Sequence, residues 1–362
     1  MQSVQADLVL HESRGLRPCD LPGGLSAHVD VFICNGRIRT QSERAHPSTR
    51  LIFFALHNSV HDVLALGPSL ARRQDPVVFV LGMTDATLPR QVDVRWPKLS
   101  VADQRNLSAV FSHASVKRVF AHNLDARSLG PKVQPLPIGL VLNLKQCIGA
   151  KGAVASCKPP TFQPTLADYH KQCSRDALPL SSRPLQLRFA SRVRFGDGPF
   201  VARKHMRARL LRPPWSAFGV VARSARGSEV SHVEHLKGLR EQAFVACVHG
   251  GGLDPCPCAF EAILCGTIPL VEAFDPLADG YDGLPLVMVS NFSGPASSLS
   301  VAKLASWRSE LAKYYETPAL RARVLCRLTM RYWLRRMRQV EDEEATCGGP
   351  ETLPEKLALR AE

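Results

Sequence analysis

The sequence predicts an α/β protein with two domains, each built on a parallel sheet. The chain has 362 residues, and at roughly 100–200 residues per domain that length suggests two units. Short β-branched and aromatic runs alternate with stretches able to form helices, a pattern typical of strands and helices around a parallel sheet. The alternation stops near residue 141 and resumes near residue 185. These observations divide the chain near its middle.

The first half, residues 1–140, is predicted to form an N-terminal α/β domain. Its predicted strands and helices alternate, and the strand runs are rich in Val, Ile and Phe. The predicted strands are Val29–Cys34, Val77–Leu81 and Val116–Ala121, and the predicted helices are Arg50–Leu64 and Val101–Phe111.

The second half, residues 185–317, resumes the alternation after a Lys- and Pro-containing connection at residues 141–184, where we expect some local helix. Ser231 is predicted to cap a helix through Gln242, because Glu234 completes a capping box. A helix and tail at residues 318–362 end the chain. The predicted strands are Leu185–Phe189, Ala217–Val221, Ala243–Val248, Thr267–Val271 and Leu284–Val289, and the closing helices are Trp307–Tyr315 and Pro318–Arg338.

The composition excludes several protein classes. With 45% hydrophobic and 22% charged residues, the chain is not intrinsically disordered, and its Gly and Pro residues show no collagen period. No run approaches the roughly 18 apolar residues that a spanning helix needs. The first twenty residues lack a basic start followed by an apolar block. We therefore expect neither a membrane anchor nor a secretion signal in the chain as written.

The 11 cysteines are an odd number, so they cannot all pair within one chain. We expect most of them to be buried and reduced. Cys256, Cys258 and Cys265 lack the ligand spacing of a zinc site. The sequence therefore predicts no metal site.

The positive charge, +14 overall, is unevenly distributed. Between Arg183 and Arg212 many basic residues face the single acid Asp197, which favours a phosphate, a polyanion or an acidic membrane surface. For this segment the alternative is a helix face exposed to solvent. For the seven arginines from Arg321 to Arg338, an exposed helix face is the interpretation that we favour. No zinc-finger, basic-zipper or RNP-like signature accompanies the charge, so no nucleic-acid partner is expected.

The segment Phe244–Glu272 has the most informative pattern. An apolar strand ends at His249, three glycines follow, and a helix begins near Ala259. Glycines let backbone amides approach a ligand, and a helix N-terminus favours a diphosphate. The segment matches neither the Walker pattern nor the dinucleotide fingerprint.

The residues after these glycines carry a family resemblance. Glu261–Val271, EAILCGTIPLV, resembles the signature of nucleotide-sugar-dependent glycosyltransferases with the GT-B fold. The longer segment is similar to exostosin-like glycosyltransferases, and Val119–Asn123 and Pro131–Leu140 resemble a related stretch that ends in Pro-Ile-Gly. The positions that match in the longer segment are Phe244, Gly250, Gly252, Asp254, Glu261, Ala262, Gly266, Ile268 and Pro269.

This resemblance implies an α/β fold of two Rossmann-like domains facing a cleft, the GT-B architecture. Residues 1–140 would form the acceptor-side domain, and residues 185–317 the nucleotide-sugar-binding domain. The implied function is transfer of a sugar from a nucleoside diphosphate sugar to a hydroxyl acceptor on a glycan or glycoprotein. The alternative is a catalytically impaired relative that binds nucleotide or glycan without turnover. That alternative arises because Cys258 stands where such proteins commonly have Arg or Lys.

The resemblance also implies roles for the residues around the glycines. Glu261 would accept bonds from both ribose hydroxyls, or else only stabilise the helix dipole. Asp254 would contact the donor sugar or only close a turn. The amides of Gly250, Gly251 and Gly252 would hold the phosphate or sugar. Arg192 and Arg207 are candidate phosphate contacts, and Arg203 is the first choice to stabilise the departing diphosphate.

The general base is predicted to come from the first domain. Asp85 follows a predicted strand directly, at the strand end where open α/β sheets place ligands. Its alternative role is an Asx turn or a helix cap. The competing bases are His57, His61 and His122.

The donor is expected as a substrate, and no cofactor is firmly implied. No Asp-x-Asp motif is present to hold a divalent ion beneath a diphosphate. By the resemblance, the chain would act in the Golgi lumen if an anchor has been lost, and otherwise in the cytoplasm. The donor sugar, its nucleotide, the acceptor and the stereochemical outcome stay open.

Overall fold

A computed structural model describes most of the chain, in segments. Two short strands, His11–Gly15 (β1) and Val141–Gln146 (β8), pair in parallel outside the two main sheets. The described residues are 11–15, 29–34, 37–40, 49–55, 59–72, 75–82, 85–146, 166–173, 178–191, 193, 200–222, 230–255, 257–290, 292, 299–338 and 358–361.

The first sheet has six strands in the order β3-β2-β4-β5-β6-β7. The β2–β3 hairpin is antiparallel, and the other pairs are parallel. Two helices, Ser59–Ala71 (α1) and Val101–Ser112 (α2), pack against each other and against the sheet. The strands are Val31–Cys34 (β2), Arg37–Thr40 (β3), Arg50–Ala55 (β4), Val77–Gly82 (β5), Val116–Ala121 (β6) and Val133–Pro135 (β7).

The helix predicted at Arg50–Leu64 is wrong over its first part. Arg50–Ala55 forms the strand β4, and the helix α1 begins only at Ser59. The sequence RLIFFA is buried at every position after Arg50. A strand inside a parallel sheet is covered on both faces and therefore has a continuous apolar run, which periodicity alone does not separate from a buried helix.

The second sheet is parallel throughout, in the order β10-β9-β11-β12-β13-β14. Five of its strands were predicted, with each end within three residues of the observed end. Its last strand was missed because it is stabilised by pairing with Val287–Val289, which is distant in sequence. The strands are Leu187–Phe189 (β9), Gly219–Val221 (β10), Phe244–Cys247 (β11), Ile268–Glu272 (β12), Val287–Val289 (β13) and Leu359–Ala361 (β14).

The helices of this half include the predicted capping box: Ser231 and Glu234 make both of its hydrogen bonds. The helix predicted at Pro318–Arg338 is interrupted after Arg327. The helices are Leu166–Cys173 (α3), Val201–Leu210 (α4), His232–Glu241 (α5), Cys258–Leu264 (α6), Val301–Glu316 (α7), Pro318–Arg327 (α8) and Met330–Arg338 (α9). Short 3-10 helices occur at Leu180–Ser182, Trp215–Ala217 and Leu277–Gly280.

The arginines of α8 do not form the solvated face that the sequence suggested. Arg323 and Arg327 are 5% and 4% exposed, and Arg327 donates to the carbonyl of Gly283. Arg321 donates to the carbonyl of Leu264 at the end of α6, and burial lowers its pKa to about 10. Arg321 and Arg327 thus donate to backbone carbonyls inside the protein and do not face solvent.

The two main sheets have the same strand order when each is counted from its own first strand. In both sheets, the second strand in chain order forms the edge and pairs with the first strand. The third strand pairs with the opposite side of the first strand. Open parallel sheets bind ligands at the carboxyl end of the strands where this order reverses. In the second sheet that point lies between β9 and β11, and the glycine-rich segment follows β11. The α/β class with parallel sheets is thus confirmed.

The division into the four predicted residue ranges stays a prediction.

Within the described residues, no helix is long and apolar enough to span a bilayer.

Candidate functional site

The site is built around residues 248–257, which connect β11 to α6 and are called the glycine loop. Gly250 and Gly251 are buried, and Gly252 has φ +73°, a left-handed conformation that favours glycine. A disulfide between Cys247 and Cys258 joins the last residue of β11 to the first residue of α6. The loop is therefore tied at both of its ends.

The expectation that most cysteines are reduced is wrong for at least five of them, because Cys173, Cys247, Cys258, Cys265 and Cys326 are disulfide-bonded. Besides Cys247–Cys258, a second disulfide joins Cys173 at the end of α3 to Cys265 at the end of α6. The Cα atoms of the two pairs are 5.5 and 4.4 Å apart, within bridging distance. Sequence spacing did not reveal these pairs because only the fold brings the partners together. Cys258 is thus a structural half-cystine.

Glu261, the predicted ribose contact, lies in the first turn of α6 and is 4% exposed. Its Oε1 accepts from Tyr169 Oη at 2.7 Å and pairs with His232 Nε2 at 2.9 Å. Its Oε2 lies 3.3 Å from His235 Nε2. Both histidines come from the first half of α5, one turn apart, so they share a helix face. The ribose role stays a prediction, now for a carboxylate that already has three partners.

The charge of Glu261 is stabilised by these partners. Burial alone would raise the pKa of its carboxyl, but the charge and hydrogen bond of His232, followed by those of His235, lower it far below the ordinary value. The group is therefore ionised at neutral pH. Since the carboxylate can only accept, each histidine presents Nε2–H to it, and the Nδ1 atoms of both histidines are buried without a hydrogen-bond partner.

Asp254 is completely buried, and it connects the glycine loop to the first half of the chain. Its Oδ2 accepts from the backbone amide of Ile138 at 3.2 Å and from Tyr281 Oη at 2.9 Å. Asn123, at the end of β6, accepts with Oδ1 from the amides of Leu253 and Asp254, both at 2.9 Å. The proposed sugar contact of Asp254 stays a prediction, and it needs this enclosed carboxylate to become accessible.

Asp85, the candidate base, lies directly against the glycine loop. A Cβ on Gly251 would collide with Asp85 Oδ2. Arg95 Nη2 lies 3.2 Å from Asp85 Oδ2 and 2.5 Å from Asp93 Oδ2. The side chain of Asp85 is 47% exposed, whereas that of Asp93 is 2% exposed and accepts from the amide of Gly252. The structure thus brings the candidate base and the glycines together from opposite halves of the chain.

The charge of Asp93 is held by its neighbours. Burial raises the pKa of its carboxyl, but hydrogen bonds from the side chain and backbone of Arg95, its positive charge and the Gly252 amide together lower that pKa below its ordinary value. In return, the hydrogen bond to Asp93 raises the pKa of Arg95. Arg95 is therefore a fixed cation between two carboxylates.

Arg203 lies on the other side of the glycine loop, in the first turn of α4. Its Nε donates to the carbonyls of His249 at 3.0 Å and Val248 at 3.3 Å. A Cβ on Gly250 would collide with its Nη2. The guanidinium also lies over the ring of Phe200 at 5.9 Å. The predicted leaving-group cation thus borders the glycines.

The other predicted site residues are less close or are not described. Arg207 is exposed one turn further along α4, and Arg192 lies outside the described residues. Of the competing bases, His61 is exposed on α1 and His122 is buried at the end of β6. His57 lies outside the described residues.

Sequence reasoning missed Asn123, Asp93, Arg95 and the two histidines on Glu261. Asn123 belongs to the Val119–Asn123 stretch that carries the resemblance, so a signal for it was present. The others were not distinguishable, because only the fold brings them to the glycine loop or to α6. Within the described part of the chain, no cluster of three or more His, Cys, Asp or Glu side chains could hold a metal ion; the metal-free site stays a prediction.

Comparison with known proteins gives the following. Neither a protein-family model nor a curated protein matches the sequence. Sucrose-phosphate synthase from Thermosynechococcus elongatus is 11% identical with a TM-score of 0.38, over 80% of this chain and 72% of that one. The Anabaena protein HepE in complex with UDP is 13% identical with a TM-score of 0.32, over 73% and 74%. A glycosyltransferase from Rickettsia africae is 9% identical with a TM-score of 0.28, over 84% and 100%. Sequence identities and TM-scores as low as these do not assign a function to this chain.

Proposed function

We propose that the chain is a glycosyltransferase of the GT-B architecture, which transfers a sugar from a nucleoside diphosphate sugar to a hydroxyl acceptor. One observation carries the proposal. A carboxylate from the first half of the chain, Asp85, and a guanidinium from the second half, Arg203, border the same glycine loop. That loop follows the strand at which the second sheet reverses its order, the location where such sheets bind nucleotides.

The reaction requires a base on one side of the sugar and a cation on the other. Asp85 would take the proton of the acceptor hydroxyl while the oxygen of that hydroxyl forms a bond to the anomeric carbon. The bond from that carbon to the diphosphate oxygen breaks, and Arg203 stabilises the charge that develops there. Direct displacement of this kind inverts the anomeric centre. Arg95 keeps Asp85 oriented through the 3.2 Å contact.

Ribose would bind at Glu261 by exchange of one existing partner. The His235 contact, 3.3 Å, is longer than the Tyr169 and His232 contacts to the same carboxylate. A ribose hydroxyl can replace the Nε2–H donor at Oε2 with little loss, because one charge-assisted hydrogen bond replaces another. Tyr169 and His232 would stay on Oε1 and hold the carboxylate in place.

A second candidate function is a protein that binds nucleotide or glycan without turnover. The amides of Gly252, Leu253 and Asp254 already donate to Asp93 and Asn123, so a donor phosphate would have to displace these acceptors. The position that is basic in similar proteins is the half-cystine Cys258. Both observations weaken phosphate binding without excluding ribose binding.

Release of nucleoside diphosphate from a panel of UDP-, GDP- and CDP-sugars, with and without acceptor sugars, tests the proposal. We expect one donor to release its nucleotide, and Asp85→Asn to abolish release while leaving nucleotide affinity within about twofold. Asp75→Asn, which also removes an exposed carboxylate, is the matched control and should leave release unchanged. Binding without release by the wild-type chain would support the second candidate. No binding of any nucleotide would contradict both.

A further inference from the structure

His249 and Glu272 form a pair at the carboxyl edge of the second sheet. His249 lies in the glycine loop, two residues after the end of β11, and Glu272 is the last residue of the neighbouring parallel strand, β12. Their side chains are 13% and 10% exposed, and His249 Nδ1 lies 3.2 Å from Glu272 Oε2. Open parallel sheets bind their ligands at this edge, so the pair lies where a donor would bind.

The imidazole of His249 is held from two sides. Its Nδ1 and the Oε2 of Glu272 are both buried, and within the described residues neither atom has a hydrogen-bond partner that competes with the other. The ring of Phe274 lies 5.1 Å from that of His249 at an interplanar angle of 81°. A carboxylate that faces Nδ1 favours a proton on that nitrogen. The reactive nitrogen of the ring is therefore Nε2.

Nε2 of His249 is the accessible nitrogen. It has no hydrogen-bond partner in the described part of the chain, and it is not one of the buried atoms there. The histidines on Glu261 have the reverse arrangement, because Nε2 of His232 and of His235 faces the carboxylate. Of these three histidines, His249 therefore has a carboxylate on Nδ1 and an open Nε2, the arrangement that catalytic histidines use in acid–base chemistry.

The backbone of His249 places the ring on the Arg203 side of the glycine loop. Arg203 Nε donates to the carbonyl of His249 at 3.0 Å, and a Cβ on the next residue, Gly250, would collide with the same guanidinium. Asp85 lies instead against Gly251. His249 is thus joined to the cation that is proposed to meet the departing diphosphate.

We propose, on the basis of the transferase function, that His249 is a general acid for the departing diphosphate and that Glu272 positions it. As the bond from the anomeric carbon to the diphosphate oxygen breaks, its electron pair stays on that oxygen, and the imidazolium gives it the Nε2 proton. The ring is left neutral, with its remaining proton on Nδ1 towards Glu272. Asp85 holds the proton of the acceptor hydroxyl, and exchange with water restores both groups.

Steady-state kinetics of the full chain, with the donor that the UDP-, GDP- and CDP-sugar panel identifies, tests the acid. His249→Asn keeps an N–H donor for Glu272 but removes Nε2, and we expect it to lower kcat at least about 100-fold with nucleotide affinity within about threefold. His249→Gln should give the same loss, and it replaces the first variant if that one does not fold. His113→Gln removes an exposed histidine just after α2 and should leave kcat and KM unchanged.

The positioning role of Glu272 has its own readouts. Glu272→Gln keeps the shape of the side chain and removes its charge, and we expect kcat to fall at least about tenfold with KM within about threefold. Nitrogen-15 NMR of the histidine-labelled chain, with His249 assigned from its variants, reports the tautomer directly. We expect the neutral ring of the wild type to carry its proton on Nδ1 and Glu272→Gln to lose that preference.

The same NMR measurement separates this proposal from the transferase function. Added UDP, GDP or CDP should move the His249 Nε2 resonance towards its protonated position. Nearly unchanged kcat in both His249 variants of an active enzyme would overturn the acid and leave the transferase function intact. The same tautomer in wild type and Glu272→Gln would overturn the positioning role. If the wild type turns over no donor, a response of His249 to a nucleoside diphosphate would still support the diphosphate contact, and no response would overturn it.

Discussion

Glu261 has a structural role as well as its proposed ribose contact, and Glu261→Gln tests that role. The carboxylate is 4% exposed and has partners on α3 and α5, in Tyr169, His232 and His235. Glutamine keeps the shape and one acceptor oxygen, but its amide group faces a histidine donor. The variant therefore loses one charge-assisted hydrogen bond and places two donors against each other.

The expected destabilisation is about 2–4 kcal/mol, from about 1.5–3 kcal/mol for a hydrogen bond to a charged group and a further cost for the buried unpaired donor. Alanine would cost more, because it leaves all three donors without an acceptor. The assay is urea unfolding at pH 7, with Glu310→Gln as the control. Glu310 is exposed on α7, and its variant should stay within about 0.5 kcal/mol of wild type.

The difference in unfolding free energy between wild type and Glu261→Gln should also depend on pH in a defined direction. The folded-state pKa of Glu261 is lowered from an ordinary value of 4.5, so its stabilisation is fully present above that value and is lost as pH falls below it. The gap between wild type and Glu261→Gln should therefore narrow as pH falls below 4.5. A gap under about 0.5 kcal/mol at pH 7, or one that widens towards acid, would refute the reasoning.

Three further predictions follow from the glycine loop. Replacing Cys247 and Cys258 with serine should cost about 3 kcal/mol in urea unfolding, from an 11-residue separation in the loop-closure estimate. Gly252→Ala should destabilise by at least about 1 kcal/mol more than Gly130→Ala, because both glycines have positive φ but only Gly252 has a side chain within 3 Å of the added Cβ. Arg203→Ala should lower kcat more than it raises KM, in steady-state kinetics with the identified donor, if the guanidinium acts on the leaving group.

Each of these has a contrary outcome. Free thiols at both cysteines in the purified wild type, by mass spectrometry, would contradict the disulfide. Equal costs for the two glycine variants would show that the asparagine beside Gly252 yields to a methyl group. A change in KM alone on replacing Arg203 would place that residue in ground-state binding.

The fold class was predictable because buried parallel strands are continuous apolar runs bounded by helix signals. Val116–Ala121 was predicted with its observed ends, and the capping box at Ser231 was correct. The strand Arg50–Ala55 was not predicted, because a fully buried strand and a buried helix have the same apolar composition over six residues. The strand at Leu359–Ala361 is stabilised by pairing with a distant strand, which local sequence does not encode.

The site was predictable where one segment carries it, and not where several segments meet. The strand, glycines and helix of 244–264 are contiguous, so their order was readable. The partners of Glu261 come from α3 and α5, and those of the amides at residues 252–254 of the glycine loop come from residues 93 and 123. Their contacts depend on how the helices and the two sheets pack. Burial of Glu261 follows from that packing, and sequence spacing gave no sign of it.

Ribose recognition by Glu261 is the point at which the proposed function is most directly measurable. Isothermal titration would compare a nucleoside diphosphate with its 2′,3′-dideoxy analogue on wild type and on Glu261→Gln, under conditions where both proteins are folded. We predict that the wild type prefers the ribose form at least tenfold and that the variant shows little preference. The same preference in both proteins would contradict the assignment of the nucleotide to the glycine loop and α6.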